Sequence, residues 1–98
     1  MVIKNFPLRL RIVSRSGCVA DLGCSSVRLN IADGEDSKGG GSLGIRQMFL
    51  KSVMLLAPGY VTAFQNDEKL SETYITSGFA TVINDVVTVI TDDDALHA

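Results

Sequence analysis

Apolar and polar side chains alternate with a period of two over much of this chain. Leu8, Leu10 and Ile12 alternate with Arg9 and Arg11, and Val27, Leu29 and Ile31 alternate with Ser26, Arg28 and Asn30. A strand turns successive side chains to opposite faces, so each run reads as a half-buried β-strand. "YVTAFQ" (60–65) follows the turn signal Pro58-Gly59 and leads into the polar turn "NDEK" (66–69). "TYITSGFATVI" (73–83) and "VVTVIT" (86–91) flank Asn84-Asp85, two residues that tolerate positive φ. That arrangement predicts a tight hairpin. Strands at short intervals, punctuated by Gly, Pro and Asn, predict an antiparallel sandwich or barrel.

Two stretches break the pattern. "ADGEDSKGGGSLG" (32–44) is rich in glycine and acids and reads as a mobile, exposed loop. In "IRQMFLKSVMLL" (45–56), Ile45, Met48, Phe49, Val53 and Leu56 sit at helical spacing, while Val53 and Leu55 equally fit a strand.

Composition narrows the class. At 98 residues, 46% of them apolar or aromatic, the chain supports one domain with one packed core. The net charge of −2 and the scattered Lys and Arg residues give no basic stripe for a phosphate backbone. No apolar run reaches the length of a membrane-spanning helix, and "MVIKNFPLRLRIVSRSG" has no continuous apolar signal core, so an intracellular chain is expected. Cys18 and Cys24 fit no zinc motif and read as reduced, part-buried thiols.

Catalytic material is sparse. The lone His97 stands next to the last residue, so no Ser-His or Cys-His pair is available inside the domain. Asp92, Asp93 and Asp94 read as a solvated tail. Asp33, Glu35 and Asp36 lie on the glycine-rich loop, without the rigid frame that acid–base work demands. Gly39-Gly40-Gly41-Ser42-Leu43-Gly44 satisfies G-x-G-x-x-G. The dinucleotide fingerprint, however, needs a strand feeding directly into the glycine turn and a helix after it. A small ligand- or nucleotide-binding sandwich, or an adaptor domain of some other complex, stands as the alternative. The balance favours a non-catalytic protein that binds other proteins, with no cofactor and no metal.

The C-terminal half adds a resemblance. "YITSGFATVINDVVTVITD" (74–92) resembles the signature of the epsilon subunit of bacterial F-type ATP synthases, whose mitochondrial counterpart is called delta. Tyr74, Gly78, Phe79, Val82, Val87, Thr88, Val89 and Asp92 fall in register without gaps. Upstream, Leu43, Gly44, Val53, Leu56, Pro58, Gly59 and Val61 of "LGIRQMFLKSVMLLAPGYV" (43–61) agree with the same family. "FPLRLRIVS" (6–14) looks like its opening strand, and "SVRLNIADGED" (26–36) like the strand leading to its acidic loop.

The resemblance implies a flattened antiparallel β-sandwich of about ten strands. It decides 45–56 in favour of loop plus strand. It also implies a rotor subunit of the central stalk that couples the gamma subunit to the membrane c-ring. Such a subunit is peripheral, on the cytoplasmic face of a bacterial inner membrane or the matrix face of a mitochondrial one. Met48, Phe49 and nearby apolar residues would face gamma, and Asp33, Glu35, Asp36, Lys38 and Ser42 the c-ring.

The chain departs from the family at three places. Gln47-Met48-Phe49-Leu50-Lys51 replaces the family's Pro-Gly-His-Ala-Pro, with Phe49 at the histidine position. The acidic loop is longer than usual, and Ser42 stands where an acid is frequent. The sandwich is expected over 1–92, and the tail 93–98 is too short for the C-terminal helical hairpin of many relatives.

Overall fold

The computed structural model describes residues 6–32 and 41–92. Nine strands and no helix occur among them: β1 (Leu8–Ser14), β2 (Gly17–Cys24), β3 (Ser26–Ile31), β4 (Gly41–Arg46), β5 (Ser52–Leu56), β6 (Gly59–Gln65), β7 (Glu68–Ile75), β8 (Gly78–Ile83) and β9 (Val86–Ile90). The region 45–56 is therefore the end of β4, a loop and β5, as the resemblance implies.

The hydrogen-bonded path β2-β1-β9-β8-β5-β3-β6-β7 folds into two layers at β3, which also carries β4. One edge of β3 pairs with β4 from Ser26 to Ile31. The other pairs with β6 from Ser26 to Arg28 and meets β5 only at Ile31 opposite Leu56. Two 3.0 Å hydrogen bonds hold that junction, Ala32 N–H to the Leu55 carbonyl and Ala57 N–H to the Asn30 carbonyl. One layer is thus β2-β1-β9-β8-β5 and the other β4-β3-β6-β7. All pairings are antiparallel except that of β1 with β9.

Alternation places the core between the layers. Leu8, Leu10 and Ile12 of β1 join Ala80, Val82, Val87 and Val89 of β8 and β9 in one buried cluster. Val27, Leu29, Ile45, Val61, Ala63 and Ile75 belong to the same cluster. Burying a side chain of this size contributes roughly 1.5–3 kcal/mol. Cys24 is in the core and Cys18 is exposed, so the expectation of two part-buried thiols needs correcting. Burial raises the pKa of the Cys24 thiol, which keeps it protonated.

The turns follow from residue type. Asn84 (φ 49°) and Asp85 (φ 64°) are both left-handed, the geometry of a two-residue hairpin. At the turn from β6 to β7, Asn66 (φ 58°) is left-handed and Asp67 is not. Gly78 has φ 150°, and a Cβ on it would collide with the backbone carbonyl oxygen of Ile90. Only glycine fits there, which explains physically why it belongs to the 74–92 signature. Gly78→Ala is expected to lower stability by about 2 kcal/mol or more. Gly44→Ala, whose Cβ would meet nothing within 4 Å, should stay within about 0.5 kcal/mol. Urea midpoints of the two variants test the contrast.

Candidate partner-binding surface

The outer face of the β5-β8-β9 layer carries apolar side chains that the core does not use. Val53 and Leu55 of β5 are 75% and 67% exposed, while Leu56 turns inward. Register extends the surface sideways: Leu55 lies opposite Phe79, and Phe79 opposite Ile90. Ile83, two strand repeats further along β8 on the same face, is exposed as well. β5 pairs with β8 along one edge and with β3 only at its last residue, so most of its other edge is open among the described residues.

The loop before β5 adds to this face. Met48 is 84% exposed and Leu50 79%. Met48 adopts φ 66°, a left-handed conformation that costs a non-glycine residue about 1–2 kcal/mol. Its N–H donates to Asp85 Oδ1 at 2.6 Å, so the β8–β9 turn fixes the loop that presents Met48. Phe49 is half-buried and packs against the core. Its ring sits in the wall behind the surface more than on it.

A charged border flanks the patch. Arg9 and Arg11 lie on β1 opposite Val86 and Thr88 of β9. The Arg9 guanidinium donates to Asp21 Oδ1 at 2.6 Å, and Arg11 approaches Oδ2 at 3.7 Å. That hydrogen bond, with the charges of both arginines, holds the Asp21 carboxyl below the usual carboxylate range. A contiguous apolar area with a polar rim marks a protein interaction site.

The other sequence-derived residues fall elsewhere. Ser42 is exposed on β4 opposite Asn30, so it belongs to a strand and not to the loop expected over 32–44. Asp33, Glu35, Asp36 and Lys38 lie outside the described residues. Ser42 and Met48 sit towards opposite ends of β4, so the structure does not bring the two expected surfaces together. Gly41 to Gly44 form strand with no helix following, which removes the phosphate-cradling geometry that the glycine pattern requires. The reading from sequence named Met48 and Phe49 but not Leu50, Val53, Leu55, Phe79, Ile83 or Ile90. The available signal was that "VMLL" (53–56) and "FATVI" (79–83) are apolar on both strand faces.

The fold and this surface define a small β-sandwich domain with an apolar outer face. The chain belongs to the family of the ATP synthase Delta/Epsilon chain, beta-sandwich domain, which matches residues 7–96. No curated protein matches it by sequence. Among solved structures, it is similar to a chain in the central stalk and c-ring of the Tetrahymena thermophila mitochondrial ATP synthase. The TM-score is 0.66 at 14% identity, over 93% of this chain and 67% of that one. A chain of the Euglena gracilis mitochondrial ATP synthase gives 0.67 at 22% identity, over 92% of this chain and 54% of that one. The chain thus spans about two thirds and about half of these relatives.

Two outcomes follow from the geometry. The depressed Asp21 carboxyl contributes stability above its unfolded pKa of about 3.9, lost as pH falls through the lower folded value. Denaturant midpoints taken from about pH 5 down to 2 should therefore fall less in Asp21→Asn than in the parent chain. Met48→Gly should raise stability by about 1 kcal/mol and Met48→Val lower it, because only glycine adopts φ 66° freely. Thermal melts of the two variants check this.

Proposed function

We propose that the chain is a central-stalk subunit of a proton-translocating F-type ATP synthase. It does no chemistry itself and couples the gamma subunit to the membrane c-ring. Membership of the delta/epsilon family sets the class. The observation that carries the assignment to gamma is the apolar outer face of β5, β8 and β9, continuous with Met48 and Leu50. A permanent subunit contact needs apolar area of this kind on a rigid support. The face lies on paired strands whose opposite sides form the core.

In this reading Met48 and its neighbours on β5 face gamma, with Phe49 supporting them from behind. The segment after β3, with Asp33, Glu35, Asp36 and Lys38, and the exposed Ser42 of β4 face the c-ring. Polar groups there would engage c-ring loops through hydrogen bonds and charge pairs. The subunit is then peripheral, on the cytoplasmic face of a bacterial inner membrane or the matrix face of a mitochondrial one.

Leu55→Asp tests the assignment. The side chain is 67% exposed, so the isolated domain should keep its stability to within about 0.5 kcal/mol. Affinity for the gamma subunit of the same organism, measured by calorimetry, should fall by about 2 kcal/mol or more if Leu55 is central to the interface. Unchanged affinity in both Leu55→Asp and Val53→Asp would exclude this face.

A further inference from the structure

The opposite layer carries a second feature, which the central-stalk reading leaves unused. On its outer face a cleft of about 270 Å³ is lined by Ser25, Ser26, Arg46, Asn66 and Asp67. A smaller adjoining cleft of about 130 Å³ adds Arg28 and Phe64. Register explains the grouping. Ser26 lies opposite Arg46 on β4, and Arg28 opposite Gly44, so the two arginines are diagonal neighbours on one face. Such neighbours stand about 7–8 Å apart at the backbone, within joint reach of a single small ligand. Gly44 contributes no side chain, and a Cβ there would meet nothing within 4 Å, so the space beside Arg28 stays open.

Neither arginine has a carboxylate partner among the described residues. Across the sheet Thr62 is opposite Arg28 and Glu72 opposite Thr62, but the Glu72 carboxylate is engaged by Lys69 at 3.3 Å. Arg9 and Arg11, by contrast, share Asp21. The cleft wall is also held in place. Ser25 donates its hydroxyl to the Phe64 carbonyl at 3.2 Å and accepts the Asn66 N–H at 2.7 Å. That fixes the β6–β7 turn, whose Asn66 lines the cleft with no side-chain hydrogen bond to another described residue.

We propose that Arg28 and Arg46 bind a phosphate-type oxyanion in this cleft. Two guanidinium forks supply paired N–H donors that match tetrahedral oxyanions, and the Asn66 amide and Ser26 hydroxyl add neutral donors. Asp67 opposes the anion and sets an upper limit on affinity. The cleft lies at the start of β3 and the end of β4, on the layer opposite the apolar face. It is therefore independent of the gamma assignment, and it shares the outer face of β4 with Ser42 but does not include Ser42 in its lining.

The test is a titration of the full 98-residue chain with inorganic phosphate at constant ionic strength, followed by amide and arginine side-chain NMR. Saturable shifts are expected at Ser25, Ser26, Arg28, Arg46 and Asn66. Arg28→Gln or Arg46→Gln should weaken the apparent affinity at least tenfold, Asp67→Asn should strengthen it, and Arg11→Gln should leave it unchanged. All four side chains are exposed, and an unchanged spectrum away from the site verifies the fold. A parallel titration with AMP identifies the source: equal affinity assigns the free anion, tighter binding a phosphate ester. Shifts no larger than those from chloride, or affinity that survives loss of both arginines, would overturn the proposal.

Discussion

The pairing of the first strand with the last holds one layer together. β1 and β9 run parallel from Arg9 opposite Val86 to Val13 opposite Ile90. Hydrogen bonds close both ends of the ladder: Arg9 N–H to the Asp85 carbonyl and Thr91 N–H to the Val13 carbonyl, each 3.0 Å. β2 reaches the layer only through β1, and β8 and β5 only through β9. Removing this one ladder would separate the layer into two pieces, each too small to cover the core alone. The turn at Asn84-Asp85 shares in the constraint. Asp85 supplies its carbonyl to β1 and its carboxylate to Met48, tying the ladder to the loop that leads into the apolar face.

That face and the core are two sides of the same strands. In β5 and β8, inward residues such as Leu56, Ala80 and Val82 are buried, while Val53, Leu55, Phe79 and Ile83 point outward. Displacing the outer face would therefore disturb the packed interior, which resists deformation because it is close-packed. A stalk subunit that transmits torque needs such a coupling between its contact surface and its body. The two layers also divide the surface chemistry, with the apolar area on β5, β8 and β9 and the clustered Arg28 and Arg46 on β3 and β4.

Local structure was largely legible in the sequence, and long-range structure was not. The alternation at Leu8-Arg9-Leu10-Arg11-Ile12 and the Asn84-Asp85 turn each contain their own physical cause, a two-residue period and a tolerance for positive φ. Nothing in either end of the chain shows that β1 and β9 are partners, because pairing depends on the whole packed sandwich. The site was legible in part. The resemblance points to Met48 and Phe49 alike, but Met48 is exposed while Phe49 beside it packs against the core. The glycines and Ser42 read as loop by composition, and pairing with β3 makes Gly41 to Gly44 a strand instead.

The order of strands also bears on how the molecule comes into being. Among the described strands β1 leaves a ribosome first and β9 last, yet they are neighbours. Until β9 has been made, β1 has β2 on one edge and, among the described strands, no partner on the other. Contacts so distant in sequence form late and slowly. Leu8, Leu10 and Ile12 must therefore wait for Val87 and Val89 before their layer is closed. During that interval the nascent chain presents an apolar strand edge, the surface that chaperones shield and that drives aggregation when they do not.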